Sequence, residues 1–143
     1  SSDIITGFCS ETEEEHQETL SMMEYSQYDY GYMYFYSERP GTLAAKRYKD
    51  DIPEDVKRRR LQEIVDKQYY LSLHSNQRDV GQTYKVLIEG DSKKDANSWM
   101  GRNSQNKVIV FPKENYELTK GDYVMVKVNS CTKGTLLGTI ANQ

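Results

Sequence analysis

Six residues between positions 93 and 107 have the chemistry of a polyanion contact. Lys93, Lys94, Arg102 and Lys107 carry charge that meets phosphates, Asn106 reads a base edge or braces a loop, and Trp99 offers a ring for stacking. Trp99 serves equally well as barrel core. The set lies in the basic part of the chain. Residues 80–143 hold 9 Lys+Arg against 6 Asp+Glu, whereas residues 1–79 hold 10 against 16, and residues 1–38 have no Lys or Arg. Such a split marks the basic half as the candidate for a nucleic-acid partner.

The cysteines exclude other chemistry. Cys9 and Cys131 stand 122 positions apart, in no metal-ligand spacing. A zinc finger, a C-x-x-x-C-x-x-C iron–sulfur loop and a disulfide framework are all ruled out for this chain. Cys9, alone at a strand end, reads as a small packed residue. His16 and His74 read as ordinary helix residues, and Glu89, Asp91 and Asp95 are too scattered for a metal site.

Two segments types must position these residues. Residues 3–8 read as a buried strand ending at a glycine. Thr12 then caps a helix over 12–26, with Glu15 as its capping-box partner and Glu13 to Glu15 in the first turn. Tyrosines at 28, 30, 32, 34 and 36 alternate with Gly31, Met33 and Phe35, the period of a strand with a tyrosine face and an apolar face. The tyrosine ladder is expected to pack in a sheet rather than to bind RNA. Strand–helix–strand order makes a βαβ unit, with both faces expected to be covered. Residues 53–75 form the longest helix, opened by Pro53 and turned inward by Val56, Leu61, Ile64, Val65 and Leu71. Its run Lys57-Arg58-Arg59-Arg60 reads as a solvated face paired to acids four residues away, with an RNA-facing patch as the alternative.

After Asn76 the period becomes two. Residues 83–89, 98–102, 107–111, 123–129 and 135–140 are five short strands punctuated by glycines. That spacing suggests a small closed barrel of the OB type, a class that binds single-stranded nucleic acid in basic grooves. The fold class is therefore α+β, with residues 1–79 and 80–143 as its two parts. At 143 residues and 36% hydrophobic content the chain suits one domain or two small ones, and it has no membrane-length apolar run. A cytoplasmic location is expected. The start at Ser1 suggests a piece of a longer protein.

The motifs carry a resemblance. Asp3-Ile4-Ile5-Thr6-Gly7-Phe8 with Glu11-Thr12-Glu13-Glu14 resembles the fifth-strand motif of the radical S-adenosylmethionine methylthiotransferases. Tyr36-Ser37-Glu38-Arg39-Pro40-Gly41-Thr42-Leu43-Ala44-Ala45 is similar to their sixth-strand motif, and Ile52-Pro53-Glu54-Asp55-Val56-Lys57 to the helix that follows. Val86-Leu87-Ile88-Glu89-Gly90, Ser92-Lys93-Lys94, Gly101-Arg102, Asn106-Lys107-Val108 and Phe111-Pro112 look like the TRAM domain that closes these enzymes. One motif departs: the family reads Phe-Pro-Gly-Glu-Thr where this chain has Phe8-Cys9-Ser10-Glu11-Thr12.

The resemblance implies the last strands of a radical SAM barrel followed by an RNA-binding TRAM barrel. It implies a transferase that adds a methylthio group to isopentenyladenosine beside the tRNA anticodon, using S-adenosylmethionine and two [4Fe–4S] clusters. A stand-alone RNA-binding module is the alternative, as is action on threonylcarbamoyladenosine or a ribosomal protein. By position, Ile5, Gly7, Ser37 and Arg39 face the S-adenosylmethionine side. No catalytic residue is expected in this chain. Without cluster cysteines it is expected to be inactive alone, to hold no cluster, and to self-associate through an open strand edge.

Overall fold

The structure, a computed structural model, describes residues 1–114 and 116–141. Its contacts divide into two compact units, Ser1–Ser72 and Leu73–Gln143. No helix among the described residues is long and apolar enough to cross a membrane.

The first unit contains β1 (Ser2–Thr6), α1 (Glu13–Ser26), β2 (Gly31–Phe35), α2 (Leu43–Arg47) and most of α3 (Glu54–Asp79). Thr12 caps α1 with the reciprocal capping box to Glu15, and Gln27 ends it in the left-handed conformation. β1 and β2 pair in parallel, Ile4 beside Met33 and Ile5 beside Tyr34. Met23, Ile64 and Leu71 are buried at the core, with Ile4, Leu20, Met33 and Leu61 around them. This core covers one face of the sheet. On the other, Ile5, Tyr32 and Tyr34 are each more than half exposed. Among the described residues the helices therefore cover one side of the strand pair, and the tyrosine side stays open.

Besides Ile64 and Leu71, α3 buries charged and polar groups that have partners. Lys57 and Arg60 are both 95% buried, so only Arg58 and Arg59 of the basic run reach the surface. Lys57 Nζ donates to Asp50 at 2.6 Å and to the Tyr36 carbonyl at 3.2 Å. Arg59 joins Glu13 and Glu63, both at 2.6 Å, and Arg58 pairs with Glu54 four residues back as expected. Gln68 and Ser72 hold the carbonyls of Tyr28 and Asp29 before β2. Buried polar groups persist only when paired in this way.

The second unit holds the end of α3 and a closed barrel of β3 (Thr83–Asp91), β4 (Ser98–Arg102), β5 (Val108–Pro112), β6 (Tyr123–Cys131) and β7 (Leu136–Ile140). The order is β3-β4-β5-β7-β6, antiparallel except for the parallel β5–β7 pair. Val86, Ile88, Ile109, Phe111, Val126, Val128 and Leu136 fill it. The strands pass close to one another at Gly101, where a Cβ would lie 2.3 Å from the Leu87 carbonyl oxygen. Tyr84 Oη donates to Asp79 at 2.6 Å, tying the helix end to the barrel wall. Burial, then the Asp79 carboxylate, pushes the Tyr84 phenol up to about 12. The architecture is α+β, with five strands closing an OB-like barrel.

Candidate nucleic-acid interface

The alternation of each strand decides which basic residues reach the surface. Met100 pairs with Val110 and Arg102 with Val108 across β4 and β5, and Val110 lies beside Leu137 on β7. These side chains point outward, because Ile109, Phe111 and Leu136 between them are the buried set. They floor a depression of about 590 Å³ that Lys93 and Lys94 also line, from the turn between β3 and β4. Both lysines are exposed, and neither ammonium has a partner among the described residues. Arg102 lines the same depression, with Nε on Glu89 at 3.2 Å and Nη1 on the Asn106 carbonyl at 3.1 Å. Asp95 borders it too. Its carboxyl is held below the usual range, first by the Ser98 hydroxyl at 2.7 Å and then by the Asn97 backbone N–H.

Asn106 takes a left-handed φ of 61° and its side-chain oxygen accepts from Arg102, so it braces the turn that presents Arg102. Lys107 is corrected. Two residues before Ile109, it falls on the inward side of β5 and is buried, donating to Asp79 at 2.5 Å and Ser75 at 2.7 Å. It holds the helix end to the barrel and is withdrawn from phosphates. Trp99 is on the inner face as well, opposite Phe111 and packed against the core. Lys113 Nζ sits 4.3 Å above its ring. Trp99 therefore offers no open stacking face beside Lys93 and Lys94. Sequence reasoning missed the floor of Met100, Val110 and Leu137. The signal was there in the unbroken run Val108 to Phe111, apolar on both faces of one strand.

A larger depression of about 830 Å³ lies by Tyr116, Tyr123, Met125 and Ile140. Its lysine, Lys85, is spent over the Tyr123 ring at 4.5 Å.

In the first unit the four residues expected on the cofactor side, Ile5, Gly7, Ser37 and Arg39, lie on or just after the ends of the parallel strands. Thr6 is level with Phe35, and the Tyr36 N–H donates to the Thr6 carbonyl at 2.8 Å, so Gly7 and Ser37 leave the sheet together. Ile5 is 57% exposed on the uncovered face. Gly7 has φ of +70°, and a Cβ there would meet Lys57 Cγ at 2.7 Å. Its missing side chain thus makes room for Lys57 as well as for any ligand. Ser37 and Arg39 are exposed, and the Arg39 guanidinium pairs with no described residue. Its carbonyl accepts from Thr42, which caps α2.

At the altered turn Ser10 takes a φ of 66°, a glycine-like conformation, and its N–H donates to Asp51 at 2.7 Å. Glu13, His16 and Glu63 bring their ligand atoms within 4.8 Å of one another. Arg59 and Arg60 already bridge the carboxylates, so the group is an ion-pair network. His16, read as an ordinary helix residue, is fully buried in it, with its ring nitrogens 2.7 Å from Glu63 and 3.3 Å from Thr6.

The chain is similar to known proteins. Residues 77–141 match the TRAM domain family. A tRNA-2-methylthio-N(6)-dimethylallyladenosine synthase of Amoebophilus asiaticus is 58% identical over 143 residues, covering 100% of this chain and 29% of the relative. One of the same name from Christiangramia forsetii is 56% identical over 138 residues, 96% of this chain and 28% of its own length. The chain thus spans under a third of the length of these curated relatives. Among solved structures, a conserved protein of Methanococcus maripaludis covers 44% of this chain and 80% of its own, at 22% identity and a TM-score of 0.35. Over its whole length the chain is similar to the C-terminal region of these tRNA-2-methylthio-N(6)-dimethylallyladenosine synthases, and its residues 77–141 match the TRAM domain.

Proposed function

We propose that this chain is the tRNA-holding part of a cytoplasmic methylthiotransferase that modifies isopentenyladenosine beside the anticodon. The observation that supports it is the pair of unpartnered lysines, Lys93 and Lys94, over an outward depression of the TRAM barrel. Residues 1–79 are the end of the radical SAM domain and residues 80–143 the RNA-binding barrel. The lysines take phosphates of the anticodon stem-loop, and Arg102, braced by Asn106, adds a third positive group.

An iron–sulfur cluster does not fit the residues of this chain. It needs at least three thiolates, and Cys9 is buried while Cys131 lies on β6. S-adenosylmethionine fits the strand ends, where Ile5 offers an aliphatic surface for adenine, Gly7 bare backbone, Ser37 a hydroxyl and Arg39 a free guanidinium for a carboxylate. When bound, that group supplies the radical and the methyl group. The chain by itself is catalytically inactive.

Anisotropy titrations with a stem-loop carrying isopentenyladenosine test the reading. Binding is expected to weaken as salt rises. A Lys93→Ala, Lys94→Ala double variant is expected to flatten the slope of log K against log salt by about 1.4, from two phosphates at ~0.7 each on single strands. An unchanged slope removes the lysines from the interface, and no binding at all removes the RNA role. The rival reading, a stand-alone module, predicts a reading frame without a C-x-x-x-C-x-x-C loop upstream.

A further inference from the structure

We propose that the depression between β4, β5 and β7 holds a single unstacked nucleotide of the RNA, its base lying on Met100, Val110 and Leu137 and its phosphate at Lys93 and Lys94. The inference rests on the RNA-binding reading above and assigns the part of RNA that the barrel takes.

Four observations carry it. The floor is a row of three aliphatic side chains from adjacent strands, set side by side by the register Met100–Val110–Leu137. Leu137 is 38% exposed, so this floor is open to an occupant. The volume, about 590 Å³, lies within the ~300–1,000 Å³ range of clefts that hold small ligands. The rim is cationic, with Lys93 and Lys94 unpartnered, so the occupant carries negative charge beside an apolar surface.

A nucleotide with its base out of the stack has that combination. An A-form duplex does not. Its bases are paired inside, and it presents charged backbone and 2′-hydroxyls, which an aliphatic floor would only desolvate. A purely acidic peptide would satisfy the rim and leave the floor wet. The aromatic platform usual in single-strand binders is absent from this floor, because the alternation of β4 turns Trp99 inward and Met100 outward. The base is therefore held by contact with aliphatic groups.

The test compares the intact chain with a Met100→Gln, Leu137→Gln variant, both positions being partly exposed and thus tolerant of a polar side chain. Circular dichroism melting confirms that the variant is folded. If it is not, Leu137→Gln alone, on the exposed side, replaces it. Anisotropy is read with a single-stranded RNA and with a duplex of the same sequence. The variant is expected to bind the single strand roughly five- to tenfold more weakly, the scale of a base face lost at ~25 cal/mol per Å², with its salt slope unchanged. Duplex binding is expected to be the same for both proteins. A 2-aminopurine in the single strand is expected to brighten on binding, as it leaves its neighbours, and less so with the variant. Equal single-strand affinity for variant and intact chain overturns the nucleotide site while lysine-dependent binding still stands. Loss of binding in Lys93→Ala, Lys94→Ala together with equal use of duplex and single strand also overturns it. If the intact chain binds neither RNA, the RNA-binding reading fails first.

Discussion

Arg60 reaches from α3 to Glu11, Nη1 to Oε1 at 2.8 Å, with the two side chains only 6% and 12% exposed. The same carboxylate oxygen accepts the Gly7 N–H at 2.8 Å, so one ion pair fixes the turn that leaves β1. Removing one partner of a buried pair leaves the other charge uncompensated. Arg60→Met is expected to destabilise the first unit by about 3–5 kcal/mol. Arg58→Ala, on the surface, is expected to change it by less than about 0.5 kcal/mol. Urea unfolding followed by tryptophan-independent far-UV dichroism measures both. Equal midpoints for the two variants would show that burial of Arg60 is unimportant.

Glu13 belongs to the same network, and its carboxyl is lowered to about 2, first by its hydrogen bond to Arg59 and despite opposing desolvation. A folded value below the ordinary 4.5 means that the pairing stabilises the fold above that pH. This contribution is lost as pH falls from about 4.5 towards 2. Glu13→Gln is expected to flatten the acid limb of a stability-against-pH profile and to leave its neutral-to-alkaline shape alone. An unchanged acid limb would remove Glu13 from the linkage.

Ser10 holds a left-handed φ of 66°, and among the described residues its hydroxyl has no hydrogen bond. A side chain in that region costs roughly 1–2 kcal/mol, and glycine gives back part of this through the freedom of the unfolded chain. Ser10→Gly is therefore expected to stabilise by about 0.5–1 kcal/mol, read as a rise in Tm. A fall would mean that the turn is shaped by Asp51 rather than by its own backbone.

The edge of β1 is unpaired among the described residues, and beside it Ile5, Tyr32 and Tyr34 form an uncovered face. Two-stranded sheets are marginal alone, and open edges template pairing. The chain is expected to self-associate with rising concentration, or to exchange the amides of Ile4 to Thr6 quickly while those of Val126 and Val128 stay protected. Light scattering and hydrogen exchange decide it. A monomer at high concentration with equal protection at both places would refute this.

The helix spanning 12–26 and the five strands were legible because capping chemistry and a period of two act over a few residues. The acidic first turn, Thr12 with Glu15, and Val126 and Val128 on one buried face are all local statements. The ends were less so: α3 runs on to Asp79, because Ser75, Asn76 and Asp79 find partners in the barrel at Lys107, Thr132 and Tyr84. The short helix Leu43–Arg47 follows from Thr42 as cap, a signal present but weak in so short a run.

What the sequence by itself determined was the α+β class, the two long helices, the strands and the resemblance to the methylthiotransferases, since these rest on local pattern and on motifs in series. Only the tertiary structure decided which charges are free. Lys93 and Lys107 are alike in type and near in sequence, yet one stands over an open floor and the other is buried against Asp79, 28 residues back. Arg60 and Glu11 are 49 positions apart. A charged side chain costs several kcal/mol to bury unless a partner meets it, and that partner is set by how distant segments pack, which no local period records.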